Sequence, residues 1–261
     1  MKSDLALILE TAREAGDLAR RMKADGLKIW SKEGGSPVTN ADIAVDELLK
    51  ARLEAARPDY GWLSEETADD PGRLGKSRLF VVDPIDGTAA FLKDRPWWSV
   101  SIAVVEDGRP VAGVVFAPEL DETFTATIGG GAFLNDAALR ASAQDQVEGC
   151  RMLGDAPMFK HPTWREPWPP MTIETRNSIA YRMCLVADGR FDAALALNGK
   201  SEWDLAAADL ICAEAGAVST DHKARGFAYN RPNPRLPSLV CAAPALHPLI
   251  LARVSHIDLR N

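Results

Sequence analysis

The sequence predicts an α/β protein in two parts, an α+β half followed by an α/β half. Three observations carry this. Two amphipathic helical stretches open the 261-residue chain, and a meander of β-branched segments follows them. Past a join near residues 135–145, helical patterns alternate with short apolar strands, the patterning of layered α/β folds. The join divides one compact unit into an N-terminal part, 1–140, and a C-terminal part, 141–261.

Residues 4–23 place Leu5, Ile8, Leu9, Ala12, Ala15 and Ala19 on one stripe and predict a helix. The loop KEGGSPVTN leads to a second helix over 40–56, which buries Val45, Leu48, Leu49 and Leu53 and closes at Pro58. YGWLSEE reads as a short strand running into a loop, and RLFVV (78–82) as a buried strand. SVSIAVVEDGRPVAGVVFAP reads as two strands about the Asp107–Gly108 turn. ETFTAT is a third strand and GGGAFLND a glycine turn into a fourth. The first half is therefore two helices against a largely antiparallel sheet. KHPTWREPWPPM reads as a surface connection whose tryptophans lie on the core. Helices over 178–188, 204–215 and 245–254 then alternate with strands in FDAALAL and SLVCAA. There is no internal repeat and no low-complexity tail.

The charge, 30 − 37 = −7 with His neutral, argues against a nucleic-acid polymer or an anionic membrane as partner. The N-terminal stretch carries Asp4, Glu10, Arg13 and Glu14 where a signal peptide needs an unbroken apolar run, and no apolar run approaches a membrane span. Cys150, Cys184, Cys212 and Cys241 lie far apart without a CxxC, as reduced thiols of a cytoplasmic protein do. His161, His222, His247 and His256 show no ligand spacing, so neither zinc nor a His-based dyad is expected.

Four acidic sites stand at the edges of apolar elements. The first is DPIDGT, where Asp83 and Asp86 bracket a proline at the end of the 78–82 strand. Two carboxylates about 4 Å apart repel by roughly 4 kcal/mol at an effective dielectric near 20. Alone, the motif reads as a turn. Yet Thr88 opens a short helix, Thr88 to Leu92, whose free N–H groups can meet an anion. Gly87 allows a phosphate close, and the two aspartates can hold a divalent cation. The second site, Ser64-Glu65-Glu66, is by itself an ordinary solvated acidic loop. The third, Trp203-Asp204, is by itself an acid at a helix N-terminus. The fourth, SPVTNAD (36–42), offers Thr39 or Asn40 as an N-cap with Asp42 in the first turn.

In order, SPVTNAD, LSEE, DPIDGT and WDLAA resemble the motifs of the inositol monophosphatase superfamily, the lithium-sensitive, magnesium-dependent phosphomonoesterases. The resemblance spans about residues 1–250 and is strongest at 36–134 and 178–220. It implies the layered α/β/α/β/α sandwich shared with fructose-1,6-bisphosphatase. It also implies that Glu65, Asp83, Asp86, Asp204 and the carbonyl of Ile85 ligate two magnesium ions, with Asp42 pairing with Thr88 to orient the attacking water and helping hold a third. The N–H groups of Gly87 and Thr88 would hold phosphate oxygens. Oxygen ligands without His or Cys suit Mg²⁺. A metal pair yields a nucleophilic water and neutralises phosphoryl charge, so an acidic protein can bind a phosphate ester.

Within that superfamily DPIDGTAAFLK and SPVTNADIA resemble the 3′(2′),5′-bisphosphate nucleotidases more than the inositol monophosphatases, which usually carry Asn where this chain has Ala90. Inositol monophosphatases also place an acid seven positions before the WD aspartate, where this chain has Leu197, and leucine cannot bond a polyol. A second phosphate would call on Lys93, Arg95 or Lys200. The usual Gly-Ser before the helix at 178 appears as Asn177-Ser178, and residues 155–175 are diverged. The expected activity is removal of the 3′-phosphate of adenosine 3′,5′-bisphosphate. Inositol-1-phosphatase, histidinol-phosphate phosphatase and sugar-bisphosphate phosphatase follow as alternatives, and an inactive regulatory binding protein is the alternative of another class. The protein is expected as a monomer or homodimer.

Overall fold

A computed structural model describes residues 3–31, 37–162 and 164–259. Most of the KEGGSPVTN loop, 32–36 with Ser36, and Thr163 of the Pro/Trp segment lie outside the described residues. The chain opens with α1 (Asp4–Asp25), capped by Ser3, whose hydroxyl accepts from the Ala6 N–H. An antiparallel pair, β1 (Ile29–Ser31) and β2 (Pro37–Thr39), leads into α2 (Asn40–Ala56). There follow β3 (Gly61–Ser64), β4 (Arg78–Asp86), the short helix α3 (Thr88–Leu92), β5 (Ser99–Glu106), β6 (Arg109–Ala117), β7 (Glu122–Thr127), β8 (Gly131–Leu134) and β9 (Ala137–Ala138). Strands β3 to β9 form one sheet in chain order. Only the β3/β4 pair is parallel, so the largely antiparallel sheet is found.

The second half contains β10 (Arg151–Leu153), α4 (Ala156–Phe159), β11 (Thr172–Glu174), α5 (Ile179–Ala187), β12 (Ala193–Ala196), β13 (Lys200–Ser201), α6 (Glu202–Glu214), β14 (Val218–Thr220), β15 (Arg235–Leu236), β16 (Leu239–Ala242) and α7 (His247–Val254). A mixed sheet runs β11-β10-β12-β16-β14. Apart from it β13 pairs with β15, Lys200 opposite Leu236 and Ser201 opposite Arg235. Helix α6 starts at Glu202, two residues before the expected start, because Ser201 is its N-cap.

Alternation along β4 explains the layering. Phe80 and Val82 face a core shared with Ile8 and Ala12 of α1 and Leu49 and Leu53 of α2. Val81, between them, faces a core with Met183 of α5 and Leu205 and Ile211 of α6, which continues to Ala194 and Cys241 of the second sheet. The far side of that sheet packs Ala193 and Val240 against Ile250 and Val254 of α7, with Trp164 and Trp168 laid on it. The result is an α/β/α/β/α sandwich. A strand covered on both faces reads as a continuous apolar run, as RLFVV does. Helix α6 lies so close to the first sheet that a Cβ on Gly113 of β6 would stand 2.9 Å from the Ala207 carbonyl oxygen.

Candidate active site

Pro84 has no N–H to give the β-ladder, and the β4/β5 register is irregular between Asp83, opposite Ser101, and Asp86, opposite Ser99. The freed backbone folds on itself. The Ile85 N–H donates to Asp83 Oδ1 (3.1 Å). The Ile85 carbonyl lies 3.2 Å from Thr88 Oγ1, which also lies 3.1 Å from Asp42 Oδ1. With one hydroxyl proton, Thr88 donates to one of these acceptors at a time. Gly87, between them, has φ +94°.

Three further carboxylates sit at helix N-termini, where the helix dipole favours negative charge. Asp42 reciprocates the Thr39 cap of α2, accepting from Thr39 N (2.8 Å) and Oγ1 (2.6 Å). Asp204, in the first turn of α6, accepts from Ser201 N at 2.8 Å. Asp86 ties β4 to α5, accepting from Ser178 Oγ (2.6 Å), Ala180 N (2.7 Å) and Ile179 N (3.1 Å). Glu65 follows β3, and its N–H donates to the Val82 carbonyl at 3.3 Å. The loop that carries it is clamped by Asp46 of α2, a buried carboxylate that accepts from both Ser64 Oγ and Thr67 Oγ1.

Electrostatics join these groups into one site. Burial and then the charges of Glu65, Asp86 and Asp204 hold the Asp83 carboxyl well above its ordinary range. Burial pushes Asp86 up to about 6 against its three donors. Burial, with Asp86 next, pushes Asp204 up to about 7. Asp42 is raised by burial and held back by Thr39 and Thr88. Among the described residues no three acidic, His or Cys side chains already form a coordination cluster. Instead the mutually repelling carboxylates settle on nearby N–H and O–H donors. For Asp83 and Asp204 those bonds engage one oxygen each, and an ionised carboxylate offers about four acceptor positions in all. The donor set is all oxygen and suits a hard divalent cation.

Beside Asp86 and Asp204 lies a cavity of about 470 Å³, its lining including Asp155, Arg182, Leu195, Leu197, Asn198 and Lys200. Burial pulls the pKa of both Arg182 and Lys200 down, while Asp204 and Asp86 act on Lys200 in the opposite sense. The structure thus brings Asp42, Glu65, Asp83, Ile85, Asp86, Gly87, Thr88, Asp204 and Lys200 into one neighbourhood. Lys93 stands exposed at the end of α3. Arg95 is also exposed, its guanidinium 5.9 Å from the Trp97 ring centre. Sequence reasoning missed Arg182 and Asp46. The signal for each was a charge inside an apolar helical stripe: Arg182 within AYRMCLVA, and Asp46 beside Val45, one turn after Asp42.

A layered sandwich that gathers buried carboxylates at several helix N-termini, next to a cationic cavity, is built for phosphate-ester hydrolysis. The chain matches the inositol monophosphatase family over residues 2–259 and belongs to that family, whose members are phosphatases. It is 35% identical to an inositol-1-monophosphatase of Mesorhizobium japonicum, over 83% of this chain and 85% of that protein. It is 37% identical to a histidinol-phosphatase of Mycobacterium tuberculosis, over 83% and 86%, and 32% identical to the Nus factor SuhB of Pasteurella multocida, over 97% and 96%. Among solved structures, the extragenic suppressor protein SuhB of Bartonella henselae superposes with a TM-score of 0.84 at 27% identity, covering 97% of this chain and 98% of that one. Among the described residues no helix is long and apolar enough to cross a membrane.

Proposed function

We propose that this phosphatase acts on adenosine 3′,5′-bisphosphate, removing its 3′-phosphate. The observation that carries the reading is the cavity beside Asp86 and Asp204, which sets two half-buried cations, Arg182 and Lys200, against an apolar wall with Leu195 and Leu197. Burial works against both charges, and an anion brought by the substrate would offset that cost. A polyol would place hydroxyls against Leu197, which cannot bond them.

Glu65, Asp83, Asp86, Asp204 and the Ile85 carbonyl would hold two Mg²⁺ ions, with Asp42 helping to hold a third. When bound, the metal supplies an acidic water and positive charge at the phosphoryl oxygens. The chain's own groups do the rest. Thr88 Oγ1, donating to Asp42, is left to accept a hydrogen from the attacking water and so orients it. The N–H groups of Gly87 and Thr88 precede any intrahelical acceptor and would bind phosphate oxygens. Arg182 and Lys200 would take the 5′-phosphate, and Lys93, exposed at the end of α3, remains a further candidate. Four buried free thiols support cytoplasmic residence.

A second reading, inositol-1-phosphatase, is favoured by the 35% identical relative. Phosphate release with and without Mg²⁺, on adenosine 3′,5′-bisphosphate and inositol 1-phosphate side by side, decides. Metal-dependent turnover favouring the nucleotide upholds the first reading, and preference for inositol 1-phosphate replaces it with the second.

A further inference from the structure

Past Leu197 and Asn198 a second cavity, of about 880 Å³, adjoins the first and shares those two residues with it. Its lining includes Arg225, Arg231, Arg235 and Asp258, a concentration of arginine at odds with a net charge of −7. The acids nearby are already engaged. Asp221 is paired with Arg225 (2.7 Å) and Asp258 with Lys223 (3.4 Å). The Arg231 guanidinium donates to the Arg235 carbonyl (3.3 Å), and its backbone N–H to Glu202 (3.0 Å). Arg235 is exposed, and its guanidinium has no carboxylate partner among the described residues. Arg235 sits opposite Ser201 in the β13/β15 pair, and Ser201 is the residue whose N–H holds Asp204. Its charge reaches Lys200 in the first cavity. Two pairs of cations therefore stand in series, Arg182 with Lys200 and then Arg231 with Arg235, leading away from the carboxylates.

We propose that the second cavity seats the distal phosphate of an extended substrate, so that the enzyme takes nucleoside 3′-phosphate 5′-diphosphates. This rests on the nucleotide reading above. The proximal 5′-phosphate lies at Arg182 and Lys200, the distal one at Arg231 and Arg235. Hydrolysis is unchanged: water displaces the 3′-oxygen at phosphorus, the 3′-oxygen takes up a proton, and a nucleoside 5′-diphosphate and inorganic phosphate leave.

The test compares kcat and KM for adenosine 3′,5′-bisphosphate and adenosine 3′-phosphate 5′-diphosphate in wild type, Arg231→Gln and Arg235→Gln. The diphosphate is expected to have a KM about tenfold lower in wild type, as charge-assisted bonds to one more phosphate allow. Arg235→Gln should erase that advantage and leave the bisphosphate KM within about twofold. Equal KM for the two substrates in wild type, or an equal effect of Arg235→Gln on both, overturns the subsite. Equilibrium dialysis in EDTA gives a readout free of turnover. Wild type should bind 5′-ADP more tightly than 5′-AMP, and Arg235→Gln should bind them alike. If neither 3′-phosphate is hydrolysed, the substrate reading falls, and the dialysis alone upholds or overturns the subsite.

Discussion

The backbone of Gly87 lies against Ser178, so closely that a Cβ on the glycine would stand 2.9 Å from the Ser178 nitrogen. This contact locks the end of β4 onto the start of α5, beside the bonds from Ser178, Ile179 and Ala180 to Asp86. Gly87 also holds φ +94°, a region where an L side chain costs about 1–3 kcal/mol. Gly87→Ala therefore combines strain with a clash against backbone that cannot yield without moving Asp86. We expect a loss of at least about 1–3 kcal/mol in urea unfolding and a fall in turnover of about a hundredfold, since small misplacements at a reacting centre cost that much. A variant with wild-type phosphate release would show that this junction does not set the site.

Asp46 touches neither Asp83 nor Asp86 in any hydrogen bond, yet it holds the hydroxyls on either side of Glu65 and Glu66, those of Ser64 and Thr67. It acts as a positioning residue. Asp46→Ala frees both hydroxyls and the loop, and should cost about 1–3 kcal/mol of stability. Its distinguishing effect is on metal dependence: the Mg²⁺ concentration for half-maximal rate should rise, and Asp46→Asn, which can still accept one hydroxyl, should restore much of it. Equal Mg²⁺ requirements in wild type and Asp46→Ala would reduce Asp46 to a purely structural part.

Much of this arrangement was legible before the fold was known, for reasons visible in particular residues. RLFVV stands out because Phe80 and Val82 face one core and Val81 the other, which leaves no polar side to the strand. Thr39 announces α2 because a cap is local chemistry. What escaped depends on tertiary assembly. Strands β13 and β15 are two residues each and exist only as partners. Arg182 is one cation on an apolar helix, and it becomes a cavity-lining group only when β12 and the 197–200 segment close the cavity beside it. Asp46 reads as a misplaced acid until β3 brings Ser64 and Thr67 to it.

Asp209 offers a pH test remote from DPIDGT. It accepts from the Tyr229 hydroxyl at 2.8 Å, and burial pushes its pKa from 3.8 up to about 6. Between those values the folded chain keeps a proton that the unfolded chain has released. Stability contributed by this group is therefore full below about pH 4 and is lost as pH rises through about 6, at up to about 1.4 kcal/mol per pH unit. Asp209→Asn is neutral throughout and should escape the loss. The difference in urea midpoint, variant minus wild type, should grow from pH 4 to 6.5 and then level off. A difference that shrinks with pH would mean that Asp209 is ionised in the fold.

Asp83 brings the metal question to a thermodynamic answer. Burial, and then the charges of Glu65, Asp86 and Asp204, hold it well above the ordinary carboxylate range, with Asp86 near 6 and Asp204 near 7. Raised pKa values mean that the metal-free fold loses stability as pH climbs from the ordinary carboxylate range through the values of Asp86 and Asp204, about 6 and about 7. A bound cation reverses the sign, because it takes the ionised forms and stabilises the fold by about 2.7 kcal/mol at a hundred times its dissociation constant. Asp83→Asn removes one repelling charge and one oxygen anion at once. In EDTA at pH 8 the variant should melt above wild type. In Mg²⁺ wild type should gain several degrees and the variant little, so that the order of the two melting temperatures inverts, while phosphate release by the variant stays absent at every Mg²⁺ concentration. An Asp83→Asn protein that melts below wild type in EDTA and still gains the full Mg²⁺ shift would remove Asp83 from the metal site, since repulsion and ligation are two consequences of the same buried charge.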